Sequence, residues 1–202
     1  MSYGSSISKL STLNVLRSEG ISKIKQFTFD GHVFSPDILR HMANEIDCGA
    51  LDVAYETKNM GDKAIYNSTE NRLYVGFWHA GTLPRKAILV HELTHAVMDF
   101  QARKMDIATS EAIAYIAQCQ YARANNDDPD PESRLYHDQR KWESDAVAEK
   151  KDNVFIEAWR IAGKILDGGS VDSNDVRDMK AAITAHPEYA TDASSSAGFN
   201  GY

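Results

Sequence analysis

Hydrophobic and polar residues alternate in two different ways along the chain. Residues 27 to 78 contain several short runs with alternating apolar and polar positions, as on β-strands. In much of residues 84 to 186 the apolar positions recur every three or four residues, as on helices that bury one face. The pattern therefore predicts an α+β fold, mainly helical, with a small mixed sheet in its N-terminal part.

Turn and capping residues place individual elements within the strand-rich part. Asp30-Gly31 lies between two alternating runs and predicts a hairpin. Residues 64 to 78 predict a second one, and residues 50 to 55 a further strand. Ser35-Pro36 predicts the start of a helix, because proline is tolerated in a helix's first turn.

The length of 202 residues is sufficient for a single domain with a full core. We expect that domain to span residues 1–186, with the strand-rich part at 27–78 and the helical part at 84–186. Residues 187–202 are mostly small and polar. Such a composition predicts a disordered tail.

Charge and cysteine content restrict the partners and the compartment. The net charge of −7 argues against nucleic-acid phosphates and anionic membranes as partners. No apolar run reaches membrane-spanning length, and the first ten residues lack the features of a signal peptide. Cys48 and Cys119, the two cysteines, do not form a disulfide framework. We expect a cytoplasmic protein, or one secreted by a signal-peptide-independent route.

The segment with the clearest chemistry is His91-Glu92-Leu93-Thr94-His95, an HExxH pattern inside an apolar run that no Gly or Pro interrupts. Two histidines four residues apart lie on the same face of a helix and can bind one zinc ion. Glu92 can then accept a proton from a water molecule in an open coordination position. The alternative is a pair of structural histidines on a buried helix.

A catalytic zinc usually has a third protein ligand. An HExxHxxGxxH continuation would need glycine and histidine where this chain has Met98 and Gln101. Asp99 extends the histidine stripe along the same helix, and three successive turns of one helix cannot surround one ion.

Glu111 is the better candidate for the third ligand. If the helix ends near Gln101 and another begins after Asp106, a short turn joins two antiparallel helices. His95 then lies about 9 Å before the turn and Glu111 about 8 Å after it. The two side chains reach nearly the same level. The alternative is an exposed carboxylate near a helix N-terminus.

The pattern His91-Glu-Leu-Thr-His95 with a downstream Ser110-Glu-Ala-Ile-Ala-Tyr115 resembles the zincin metallopeptidases, and more narrowly the gluzincin type. The resemblance covers roughly residues 60 to 120. It implies Zn²⁺ bound by His91, His95 and Glu111, and Glu92 as general base. It also implies a zincin-like active-site helix beside an antiparallel ligand helix. The histidine-to-glutamate gap is shorter than in thermolysin-like enzymes, and Tyr115 stands where those enzymes have an aspartate, four residues after the ligand glutamate.

Peptide hydrolysis also needs a group that stabilises the oxyanion. We expect this group to be His137 or Tyr136; Arg134 and His79 are alternatives. Tyr115, on the same helix face as Glu111, is a further catalytic candidate that could hydrogen-bond a ligand or point into the cleft; the alternative is a packed core tyrosine. In zincins the strand before the active-site helix borders the cleft, and the substrate adds to its edge. Residues 72 to 78 occupy that place in this sequence.

The leading hypothesis is a zinc metallopeptidase that acts on a protein or peptide, with a peptidoglycan peptide as one option. Such an enzyme is compatible with a secreted effector, a phage-borne enzyme or an intracellular regulator. One alternative is a zincin-fold regulatory protein, either an ImmA-like repressor protease or a non-catalytic zinc module. Another is a helical domain without metal. The sequence does not specify an oligomeric state.

Overall fold

A computed structural model describes residues 3–58, 60–126 and 153–201. In chain order, its elements are α1 (Tyr3–Leu16), α2 (Glu19–Ser22), β1 (Phe27–Phe29), β2 (His32–Phe34), α3 (Pro36–Cys48), β3 (Asp52–Tyr55), β4 (Ala64–Asn67), β5 (Arg72–Val75), α4 (Leu83–Phe100), α5 (Ile107–Ala124), α6 (Asn153–Leu166) and α7 (Ser173–Ala185). The fold is α+β and mainly helical, which confirms the predicted class.

Both hairpins form where the alternating runs predict them. β1 and β2 pair antiparallel across Asp30-Gly31, whose positive φ angles of 48° and 80° suit the tight turn. β4 and β5 form the second antiparallel pair, and β3 joins β5 in parallel. Ser35 caps α3 by accepting a hydrogen bond from the Asp37 N–H, so this helix begins where predicted.

The three-stranded sheet has the order β3-β5-β4. β5 therefore lies in the middle, and both of its edges are hydrogen-bonded. The expectation that residues 72 to 78 present a free edge to the cleft is wrong for this reason. The strand that borders α4 is β4, which pairs on one side only within the described part of the chain.

Helices α4 and α5 form the centre of the helical part. The inward faces of both helices are fully buried, with Leu89, Leu93 and Val97 on α4 and Ile113 on α5. Asp106 caps α5 through the Thr109 N–H, as its position in the sequence predicts. A turn of six residues, 101–106, joins the helices.

The two helices run in opposite directions. His91 contacts Gln118, whereas His95, one turn further along α4, contacts Ser110 at the start of α5. Contacts in this reversed order occur between antiparallel helices. Helix α6 packs on α5, and α7 packs on both α5 and α6.

Residues 187–201, here called the C-terminal segment, lie against the α4–α5 turn. The N–H groups of Ile107 and Ala108 donate to the carbonyls of Ser195 and Ala193, and the Ala197 N–H donates to Met105. Ala193 is buried. Main-chain hydrogen bonds thus hold a segment whose side chains are too small and polar to predict packing.

Within residues 3–58, 60–126 and 153–201, no helix is both long and apolar enough to cross a membrane.

Candidate metal centre

His91, His95 and Glu111 come together between α4 and α5. Their ligand atoms all lie within 4.8 Å of one another. The two Nε2 atoms are 3.2 Å apart, and each lies 3.4 Å from one carboxylate oxygen of Glu111. The helix spacing in the sequence thus correctly predicts that Glu111 meets the histidine pair.

These distances suit a small metal ion. Ligands at about 2.0–2.1 Å from a tetrahedral zinc are about 3.4 Å from one another. The three contacts measure 3.2, 3.4 and 3.4 Å. Glu111 Oε2 is also buried without a hydrogen-bond partner, as expected of an oxygen that needs a cation. Two imidazoles and one carboxylate are a common donor set of catalytic zinc, so the residues present fit this metal.

The other ring nitrogens are held by residues of α5. His91 Nδ1 lies 3.0 Å from Gln118 Oε1, and His95 Nδ1 lies 2.9 Å from Ser110 Oγ. Because Gln118 Oε1 can only accept, the proton of a neutral His91 is on Nδ1 and its Nε2 has a free lone pair. Such partners orient metal-binding histidines and fix their tautomer.

Electrostatics keep Glu111 ionised and His95 neutral. Burial alone would raise the pKa of Glu111, but the nearby His95 and His91 outweigh it and lower this pKa to about 2. Burial lowers the pKa of His95 to about 4. For His91 burial is outweighed by Glu111 and Glu92, so the pKa of this histidine is raised. At neutral pH the metal-free centre therefore contains a carboxylate and a neutral His95 imidazole that can bind a cation.

Glu92 lies beside the ligands, at the junction of α4 and β4. Its Oε2 accepts a hydrogen bond of 2.8 Å from the Tyr66 N–H. Burial is the largest influence on its pKa, which rises to about 7, and the neighbouring carboxylates of Glu111 and Glu188 add to the rise. A carboxylate with a pKa near neutrality is suited to accept and return a proton.

A cleft of about 530 Å³ opens above these four side chains. Strand β4 forms one wall, and the C-terminal segment forms another. The residues of these two walls that line the cleft are Lys63, Ala64, Ile65, Tyr66, Ser68, Glu188, Tyr189, Asp192, Ala197 and Phe199. The cleft is open to solvent.

Two tyrosines meet inside the cleft. The ring of Tyr115 packs edge-on against His91, with 4.6 Å between ring centroids, and its hydroxyl lies 3.3 Å from that of Tyr189. The Tyr189 hydroxyl also helps to lower the pKa of the nearby Glu111 carboxyl. Burial and the surrounding negative charge raise the pKa of the Tyr189 hydroxyl strongly, so it stays protonated and can donate.

The other residues proposed from the sequence lie elsewhere. Asp99 is completely buried and is not among the ligands, as its place on the same helix predicts. His79 is exposed and lies in a separate pocket beside α1. His137, Tyr136 and Arg134 fall outside the residues that the structure describes.

Several residues of the site were not predicted from the sequence, among them Gln118, Tyr189 and Phe199. Gln118 was detectable, because it lies two helical turns after Glu111 and therefore on the same face of α5. Tyr189 and Phe199 are aromatic residues in a stretch that is otherwise small and polar, which is a weak sign of packing.

No known family model matches the chain, and searches of curated proteins and of solved structures give no significant match.

Proposed function

We propose that this protein is a zinc-dependent metallopeptidase of the zincin type. The observation that carries the proposal is the convergence of His91, His95 and Glu111 at tetrahedral spacing, with Glu92 beside them in an open cleft. The donor set corresponds to a catalytic site, since three protein ligands leave a fourth position for water or substrate. A purely structural zinc site would usually have four protein ligands.

When bound, zinc would act as a Lewis acid that activates water and polarises a carbonyl group. The protein supplies the proton transfer. Glu92 is held in place by the Tyr66 N–H, and its other oxygen remains available to accept a proton. A base with a pKa of about 7 in the metal-free protein can take this proton and deliver it to the leaving amine.

We infer that the substrate is an extended peptide that pairs with β4. On this strand Lys63 O accepts from Gly76, towards β5, so the backbone groups of Ala64 and Tyr66 face the opposite side, where the Tyr66 N–H donates to Glu92. Ala64, Ile65 and Tyr66 line the cleft, and Ile65 is 49% exposed. An edge that pairs with no strand in the described part of the chain, and that carries an exposed apolar side chain, is the surface to which a peptide adds as a further strand.

Tyr189 is our candidate for the group that stabilises the oxyanion. Its hydroxyl is a protonated donor next to a metal ligand. It replaces His137 in the proposed mechanism. Tyr115, which contacts both His91 and Tyr189, would orient the ligand and the donor rather than act on the substrate.

A Glu92→Gln variant tests the proposal against a zinc module without turnover. Zinc-loaded wild-type protein is incubated with a mixture of denatured proteins, and new peptide termini are identified by mass spectrometry. We expect cleavage by the wild type, at least a hundredfold less with Glu92→Gln, and equal zinc content in both. Glu19→Gln, at an exposed position of α2, is the matched control and should cleave normally.

Full zinc loading without any cleavage by the wild type would favour the non-catalytic zinc module. Cleavage that persists in Glu92→Gln would remove Glu92 from the mechanism.

A further inference from the structure

Asp99 is a buried carboxylate that the proposed chemistry does not use. It lies one turn after His95 on α4, and none of its surface is exposed. Among the described residues no Lys, Arg or His pairs with it. It instead accepts three hydrogen bonds: from the Tyr66 hydroxyl at 2.6 Å, and from the N–H groups of Asn200 and Gly201 at 2.7 and 3.0 Å. A buried carboxyl group with this many hydrogen-bond partners has a specific local role.

One of these bonds attaches strand β4 to the active-site helix. Tyr66 donates its hydroxyl to Asp99 Oδ2, while its main-chain N–H donates to Glu92 Oε2. Tyr66 therefore connects two positions on α4, on either side of His95. Both bonds hold the edge strand at a fixed distance from the metal ligands.

The other two bonds attach the C-terminal segment. Asp99 Oδ1 accepts from two consecutive N–H groups at the end of this segment. They place Phe199 next to His95, with 6.4 Å between ring centroids, and Ala197 in the cleft wall. A single carboxylate thus holds the two opposite walls of the cleft on one helix.

We propose that Asp99 is a positioning residue that sets the width of the cleft by anchoring β4 and the C-terminal segment to α4. The expected change in kinetics rests on the proposed peptidase function. The anchoring of the two cleft walls does not. Because β4 is the surface on which the substrate pairs, loss of the anchor weakens substrate binding. The metal ligands come from α4 and α5 alone, so zinc binding stays unchanged.

Three variants separate the two attachments. Asp99→Ala removes both. Tyr66→Phe removes the attachment of β4 and keeps the bonds to Asn200 and Gly201. Asp99→Asn keeps one oxygen for the two N–H groups and is the conservative variant in case Asp99→Ala does not fold.

Hydrogen exchange of the full-length, zinc-loaded protein measures the anchoring without any turnover. Asp99→Ala should accelerate exchange by at least tenfold in residues 64–67 and 197–201, and Tyr66→Phe only in 64–67. Asp99→Asn should protect 197–201 as the wild type does. Unchanged exchange in both regions of a folded Asp99→Ala variant, or a loss of zinc binding with it, would overturn the proposal.

Steady-state kinetics give the functional half of the test. For Asp99→Ala and Tyr66→Phe we expect KM to rise about tenfold while kcat changes less than about threefold. If the substitutions only destabilised the protein, less active enzyme would be present, so the apparent kcat would fall while KM stayed constant. That result would contradict the positioning role of Asp99. If the wild type cleaves nothing, the proposed function fails, while the exchange data still decide the role of Asp99.

Discussion

Glu111 Oε1 lies 3.4 Å from His95 Nε2, although the two residues belong to different helices. The opposite oxygen of the same carboxylate lies equally close to His91 Nε2 and has no hydrogen-bond partner. A cation bound between the two imidazoles would balance this buried carboxylate. The arrangement supports the proposal that these three side chains bind one ion.

Removal of Glu111 should abolish tight zinc binding. We expect Glu111→Ala to lower zinc affinity by at least a hundredfold, because two histidines alone remain. Competition with a fluorescent zinc chelator measures the affinity. Asp99→Ala, on the same stripe of α4 as the histidines, is the control and should bind zinc like the wild type. Equal affinity in both variants would exclude Glu111 from the centre.

Gln118 should contribute to metal affinity without touching the metal. It fixes the tautomer of His91 through Nδ1, so Gln118→Leu should lower zinc affinity by about 10- to 100-fold. Gln120→Leu is a matched control on the same helix. Gln120 accepts from the Lys25 N–H instead, so this variant should lose stability but not affinity. The same chelator competition distinguishes the two, and identical affinities would contradict the role of Gln118.

Glu92 should make the metal-free protein less stable as the pH rises. Its pKa is raised from 4.5 to about 7 in the folded state, mainly by burial. Below pH 4.5 the carboxyl is protonated in both the folded and the unfolded protein, so it does not change the free energy of unfolding. Above pH 7 it is charged in both states, and its burial in the folded protein lowers the free energy of unfolding by about 3 kcal/mol.

Glu92→Gln removes the loss of stability that the buried charge causes above pH 7. In the presence of a chelator we therefore expect the variant to exceed the wild type in free energy of unfolding at pH 8, and to match it at pH 4.5. Urea denaturation at both pH values measures the difference. A wild type that is equally or more stable than Glu92→Gln at pH 8 would show that Glu92 is not desolvated in the folded protein.

Tyr189 should act in the transition state rather than in substrate binding. We expect Tyr189→Phe to lower kcat and kcat/KM equally, by about 100-fold, because one oxyanion donor is lost. Tyr115→Phe keeps the donor and should lower kcat less. Zinc content measured in parallel must remain complete in both variants. A larger loss of kcat with Tyr115→Phe than with Tyr189→Phe would show that Tyr115 is the oxyanion donor.

Local sequence signals predict the centre well because it is built from helices. The histidine pair follows from a spacing of four residues, and Glu111 follows from the lengths of α4 and α5 on each side of a turn capped by Asp106. Both arguments use only the rise and periodicity of a helix. The same logic extends to Gln118, two turns further along α5.

The walls of the cleft could not be predicted in this way. Strand order depends on the parallel pairing of β3 with β5, which is not encoded in the alternation of either strand. The C-terminal segment is held largely by main-chain hydrogen bonds and by Asp99, so its composition gives no indication of its position. For this reason Tyr189 was not predicted from the sequence.

The central claim is that one zinc ion binds to two imidazoles and a carboxylate. X-ray absorption spectroscopy of the protein loaded with one equivalent of zinc measures this directly. We predict four nitrogen or oxygen neighbours at about 2.0–2.1 Å, an outer-shell signal from two imidazoles, and loss of this spectrum in Glu111→Ala. A sulfur neighbour from Cys48 or Cys119, or an ion surrounded by water alone, would contradict the account.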